Sequence, residues 1–313
     1  MPAINNRFII KKQVSRPQTA FADLLGETTK RNALFNELVW KVTQIVNIQN
    51  GGFDENLALG VPFTLAYQDV LDNPNNFFSP LPFRSSFSTL FDGVNQHVRT
   101  GPIALDKADS YSFSTWVKLN SVSGNRTILS NITPDATARG QEILFVSGNN
   151  KVRFNIIGNV AVGDAIIIES GNALTLDEWA HVVCTYNGSG LNSGLKIYID
   201  GISQPLNILT AGPLVDATVS AQNMHLGSRP AILNFMNGNL DEMAVYNFEL
   251  SSLQVAEIFN NGVPNDLQTR SFADPIHWWQ MGDNDFIPII VDHIGALNGT
   301  IFNGAIFVED VSA

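Results

Sequence analysis

Two acidic side chains set about 5–10 Å apart across a sugar bond are the least a glycoside hydrolase needs, and strands deliver them by alternating acids on one face. No segment of this chain reads that way. Glu142 and Glu169 stand alone, and Asp241 and Glu242 are consecutive, so a regular strand points them to opposite faces. The chain also lacks a G-x-S-x-G nucleophile elbow, an H-E-x-x-H zinc motif and a phosphate-cradling Walker loop. The run GSGLNSG at 188–194 approaches a dinucleotide fingerprint, but it lies between two strand-like segments with no helix after it and reads as a hairpin loop. Cys184 is the single cysteine, which excludes an intrachain disulfide and the cysteine-rich zinc spacings. His181 sits between Ala180 and Val182 and reads as a structural side chain. No catalytic residue is assigned, and the chain is read as a non-enzyme.

Side chains that bind without reacting need elements to hold them, and here those elements are strands. Residues 112–119 (SFSTWVKL), 151–157 (KVRFNII), 179–186 (WAHVVCTY) and 195–199 (LKIYI) alternate polar with apolar at period two. Gly- and Asn-rich stretches separate them, at 147–150, 187–194 and Asp200-Gly201, the residue types that accept the positive φ of tight hairpins. The expected fold is mostly β: two antiparallel sheets packed face to face in a jelly-roll sandwich, with Trp116 and Trp179 filling the space between them. Residues 250–260 break the rhythm with apolar side chains at 250, 253, 255, 258 and 259, which predicts a short helix capped by Ser251.

The first 84 residues differ in kind. Residues 28–47 carry Leu34, Phe35, Leu38, Val39, Val42, Ile45 and Val46 on one stripe, an amphipathic helix ended by Asn50-Gly51-Gly52. Positions 35, 38, 42 and 45 also fit a two-heptad seam, so this helix either packs on its own chain or self-associates. Residues 72–82 (DNPNNFFSPLP) hold three prolines and read as the linker. The expected organisation is therefore an amino-terminal anchoring segment over 1–84 and a sandwich over 85–313.

Bulk numbers narrow the partners. A net charge of -11 repels phosphate backbones and anionic lipid, which disfavours nucleic acid and membrane surfaces as partners. No run approaches the roughly 20 apolar residues of a membrane helix. Residues 1–13 lack the apolar stretch of a secretory signal, so the protein is read as made without secretion and the sequons at Asn125, Asn131, Asn187 and Asn298 as unglycosylated.

An ordered series of short motifs resembles the laminin-G-like jelly rolls of the concanavalin A-like superfamily, over about residues 85–265. Phe91-Asp92-Gly93 resembles the family's opening strand, and Phe113-Ser114-Thr115-Trp116-Val117 and Arg126-Thr127-Ile128-Leu129-Ser130 resemble the next two. Trp179-Ala180-His181-Val182, Ile197-Tyr198-Ile199-Asp200-Gly201, Leu226-Gly227-Ser228 and Gly238-Asn239-Leu240-Asp241-Glu242 follow in order. One segment departs: Trp278-Trp279 and Asp292-His293-Ile294-Gly295 resemble a stretch that often precedes the opening strand, and here it comes last.

The resemblance implies a recognition module. Relatives often hold a calcium ion in loop carboxylates, for which Asp92 and Asp241 are the candidates here, with turn capping as the alternative. Glycan binding by relatives implies an exposed aromatic, and Trp278 and Trp279, adjacent in a strand, face opposite ways so that one is free to stack on a sugar or to pack on the amino-terminal segment. The excess of Phe, 20 against 5 Trp and 5 Tyr, points instead to dry core and protein interfaces. A recognition fold without export signal or disulfide fits a bacteriophage virion protein of capsid or tail-fibre type, with 1–84 docking to other virion proteins or trimerising and the sandwich meeting a host-surface glycan or protein. The alternatives are a decoration protein with no ligand and the lectin module of a carbohydrate-active system.

Overall fold

The computed structural model describes residues 83–312 apart from positions 122 and 232. The helix expected at 28–47 and the linker at 72–82 lie outside the described residues. The strands are, in chain order, β1 (Ser88–Asp92), β2 (His97–Arg99), β3 (Tyr111–Leu119), β4 (Arg126–Ser130), β5 (Gly140–Phe145), β6 (Lys151–Asn159), β7 (Asp164–Ala173), β8 (Trp179–Tyr186), β9 (Leu195–Ile199), β10 (Ile202–Ser203), β11 (Leu206–Ala211), β12 (His225–Leu226), β13 (Asn237–Tyr246), β14 (His277–Trp279), β15 (Ile289–Ile290), β16 (Gly299–Phe302) and β17 (Ile306–Val308). A single α-helix, α1 (Ser252–Phe259), is present among the described residues. Ser251 caps it as expected, in a reciprocal capping box with Gln254.

The strands form two antiparallel sheets, so the predicted sandwich is the observed fold. An eight-stranded sheet runs β10-β9-β8-β3-β13-β1-β17, with β14 paired to β13 beyond the end of β1; a nine-stranded sheet runs β11-β7-β6-β5-β4-β12-β2-β16-β15. The displaced carboxy-terminal segment completes both sheets, β14 and β17 joining one and β15 and β16 the other. Between the sheets lies one core: Phe113, Val117, Leu119, Val182, Cys184 and Leu240 from one side meet Val98, Leu129, Ile143, Phe154, Ile166 and Leu226 from the other.

That phase of alternation corrects one expectation. Because Phe113, Val117, Val182 and Cys184 point inward, Trp116 and Trp179 point out of the sandwich. Trp116 is buried there against Phe259 of α1, ring centroids 5.8 Å apart, and Trp179 donates from Nε1 to Asp310 at 3.0 Å. Asp200 and Gly201 both take positive φ in the two-residue turn joining β9 to β10, as a tight hairpin demands.

Candidate ligand-binding face

Each sheet carries polar side chains on its outer face, and the two faces are covered differently. The eight-stranded sheet is roofed by α1 and the segment after it: Val183, Ala244 and Tyr246 pack against Leu250, Val255, Ile258, Leu267 and Trp278. Beneath that roof Ser114 Oγ and His181 Nε2 lie 2.8 Å apart, lining a closed cleft with Trp116, Glu242, Ile258, Asn265 and Leu267. Burial lowers the His181 pKa to about 3, so the ring is neutral. His181 Nδ1, Glu242 Oε1 and Asn265 Oδ1 make no hydrogen bond among the described residues.

Asp241 and Glu242 do not point to opposite faces. The register of β13 on β3 slips between Asp241 and Ala244, and Glu242 takes a φ of 50°. Leu240 and Met243 both remain in the inter-sheet core, so this bulge turns both carboxyls outward under the roof. Asp241 Oδ2 accepts from Ser85 Oγ at 2.8 Å, and Glu242 Oε2 accepts from Trp278 Nε1 at 2.6 Å. Burial first pushes both carboxyls well up from their usual range, helped by the nearby Asp283 and, for Glu242, by the charge of Asp241. Two acids on one face would suit glycoside chemistry, but both are sealed from solvent.

The nine-stranded sheet presents a different surface. Directly opposed residues form one lane across it: Thr300 faces Arg99, Arg99 faces His225, His225 faces Ser130, Ser130 faces Glu142, and Glu142 faces Asn155. Each alternates with a core residue, so all point outward. The floor of the lane is buried at His225, Ser130, Glu142 and Asn155, while Arg99, Arg229, Phe235, Thr300 and Phe302 are half-buried along it.

At one end of this lane three rings stack nearly parallel: Phe302 on His97 at 5.0 Å and 4°, and His97 on His225 at 5.3 Å and 3°. The Arg99 guanidinium carbon lies 4.1 Å from the centre of the Phe302 ring, a cation–π contact. Burial, and to a lesser degree Arg99 itself, lowers both imidazoles, His225 to about 4. His97 Nδ1 lies 3.1 Å from the Asn95 carbonyl, which only accepts; Nδ1 therefore carries the proton, and Nε2 is an acceptor without a partner. Arg99 makes no hydrogen bond or ion pair among the described residues, and its Nε is buried. At the other end Glu142, its pKa raised by burial, accepts from Asn155 Nδ2 at 3.1 Å and lies 3.6 Å from Arg229 Nε.

The residues singled out from sequence lie elsewhere. Trp278 and Trp279 face opposite ways as expected, but both are buried: Trp279 in the inter-sheet core with Nε1 donating to the Leu297 carbonyl, and Trp278 under the roof beside Phe83. Neither offers a sugar platform, because the outward one is covered. Asp92 is exposed and accepts from Val94 N in a local turn. It lies opposite Asn237, four residues and about 13 Å along β13 from Asp241. The two do not converge on one point, and no cluster of three or more His, Cys, Asp or Glu side chains that could hold a metal ion occurs among the described residues. Arg99, His97, His225 and Phe302 were missed in the sequence. The "HVR" of β2 and the "HL" of β12 are too short to show a period, and only tertiary pairing brings them together.

The two antiparallel layers, one face roofed and the other carrying a lane of polar and aromatic side chains, make a jelly-roll sandwich of the concanavalin A-like kind. The chain belongs to the concanavalin A-like lectin/glucanases superfamily, the laminin-G-type model of which matches residues 92–256. Among solved structures, a Bacteroides ovatus protein proposed to bind carbohydrate is similar at 15% identity and a TM-score of 0.54, over 74% of this chain and 62% of its own, so this chain spans less than two thirds of it. A heptameric SAP-like pentraxin from Limulus polyphemus is similar at 14% identity and a TM-score of 0.46, over 69% of this chain and 94% of its own. A Ruminococcus gnavus sialidase CBM40 module bound to α2,3-sialyllactose is similar at 14% and 0.42, over 56% and 98%. At these identities the likenesses concern the fold. No curated protein sequence matches the chain.

Proposed function

We propose that this protein is a non-catalytic recognition module that binds a glycan across the outer face of its nine-stranded sheet, and that it is displayed on a bacteriophage virion. The observation that carries the glycan reading is the lane itself. It combines the half-buried rings of Phe302 and Phe235 with the unpaired guanidinium of Arg99, the mixture of apolar surface and hydrogen-bonding groups that a pyranose ring requires. Against catalysis stands the burial of Asp241 and Glu242, the acids that share a face. Support for the virion comes from a recognition fold whose sequence offers no disulfide and whose one cysteine is buried, as suits assembly in a reducing cytoplasm. In this reading residues 1–84 dock to other virion proteins and assemble the chain, as a trimer or other homo-oligomer.

A glycan array probed with the full chain tests the binding, and a Phe302→Ala variant that binds as well as the parent removes the lane from it. Release of reducing ends from a bound polysaccharide overturns the non-catalytic reading. Mass spectrometry and imaging of purified particles test the virion assignment, which fails if the chain is absent from them. A second reading, protein docking without a glycan, is favoured by the edge strand β11 and the neighbouring hairpin, which leave Ile202, Ile208 and Leu209 more than half exposed.

A further inference from the structure

We infer that the glycan taken by this lane is acidic, and that Arg99 holds the carboxylate of a uronic or sialic acid residue; this rests on the lane being a glycan site. The inference starts from the partners of the arginines. In a chain of net charge -11 the half-buried arginines of the sandwich are otherwise engaged: Arg153 with Glu169, Arg229 with Glu142, Arg126 with the carbonyls of Gly93 and Phe235, and Arg270 and Arg139 with the carbonyls of Asp266 and Gly158. Arg99 alone among them meets no acceptor in the described residues.

Its surroundings explain what it is held for. The ring of Phe302 supports the guanidinium, and that ring is fixed by the stack with His97 and His225, so the cation is positioned without being neutralised. A guanidinium packed over a ring keeps its edge N–H groups free, and two parallel N–H donors match the two oxygens of a carboxylate. The groups flanking it add no competing acid. Thr300 and His225 are its opposed neighbours, and the lane's one carboxyl, Glu142, lies beyond Ser130 and is already bonded to Asn155 and close to Arg229. In the same lane the half-buried rings of Phe302 and Phe235 give an apolar surface for the body of a sugar. A cationic fork beside half-buried aromatic rings describes an acidic sugar better than a neutral one, which leaves the fork unused, or a bare anion, which leaves the rings unused.

The test uses the full chain on acidic glycans printed beside their carboxyl-reduced counterparts, followed by calorimetry on the best pair. The acidic form is expected to bind roughly 10- to 100-fold more tightly, the span of a charge-assisted pair of hydrogen bonds. Arg99→Gln is expected to erase that preference while leaving the melting temperature unchanged, and Arg99→Lys to retain only part of it. Equal binding of acidic and reduced forms, with Phe302→Ala weakening both, overturns the acidic assignment and leaves the glycan reading standing. Binding to no glycan of either kind overturns the glycan reading itself. Competition by acetate as strong as by the acidic glycan overturns the sugar and leaves an anion site.

Discussion

The outer faces of the two sheets are built from similar side chains, histidine with serine, carboxyl and aromatic, yet they end in opposite states. Over the eight-stranded sheet the roof of α1 and residues 263–272 withdraws Ser114, His181, Asp241 and Glu242 from water, and the cost of burying charge leaves a neutral imidazole and two carboxyls that favour their protonated forms. Over the nine-stranded sheet the histidines are likewise neutral, but a guanidinium stays half-exposed and unpaired beside them. Cover, more than composition, separates a polar cluster that holds the fold from one free to meet a ligand.

Equal-handed truncation of the two faces is the largest test of that contrast. Trp278→Ala removes a buried indole from the roof and takes from Glu242 the donor that satisfies Oε2, and should cost about 3–5 kcal/mol, read as a lower urea midpoint. Phe302→Ala on the lane should cost about 1 kcal/mol or less while glycan affinity falls. Equal losses of stability on both faces would mean that the lane is also structural.

Charge under the roof gives the next effect. Glu242 has a pKa raised above its ordinary 4.5, so the folded state binds a proton that the unfolded chain releases. Its contribution is therefore intact below about pH 4.5 and declines as pH rises toward the raised value. Glu242→Gln cannot titrate and keeps an acceptor for Trp278 Nε1. Melting scans from pH 4 to 8 should show the variant gaining on the parent as pH rises, with Asp241 retaining part of the slope. A constant difference across that range would place Glu242 in contact with water.

The lane should respond less. With His225 lowered to about 4 and His97 also below its ordinary 6.5, both rings are mostly neutral between pH 6.5 and 8. Glycan affinity measured by calorimetry should be flat over that interval. A step near pH 6.5 to 7 would show that the stacked histidines are open to water and share in the charge of the site.

The sandwich was legible in the sequence because its signal is local and repeated. The strands around 112–119, 151–157, 179–186 and 195–199, the Asp200-Gly201 turn and the Ser251-capped helix each follow from alternation, turn chemistry or capping over a few residues. Which side of β3 and β8 faces inward was not legible. Large apolar side chains line both faces, Trp116 against Phe259 on one and Phe113 against Phe154 on the other, so hydrophobicity alone sets no phase. Nor was the bulge at Glu242, since nothing in "LDEMAV" announces a non-glycine residue at positive φ. The lane lay deepest of all: Arg99, His225 and Thr300 come from strands of three, two and four residues, joined by pairings that span more than 70 positions.

The smallest expected effect concerns the carboxylates first suggested for calcium. Asp92 already accepts the Val94 amide in an exposed turn, and Asp241 is buried against Ser85 with its pKa raised, so ionising it to bind a cation would oppose its surroundings. A calcium ion needs about six or more oxygens converging within 2.6 Å, and these two carboxyls lie well apart along β13. Chelation should therefore leave the melting temperature unchanged, and Asp92→Asn should shift it by no more than the loss of one exposed turn contact, a few tenths of a kcal/mol. A fall of several degrees on chelation, restored by calcium and blunted in Asp92→Asn, would mean that the β1–β2 turn closes around an ion, and would make that edge, rather than the lane, the first place to seek the ligand.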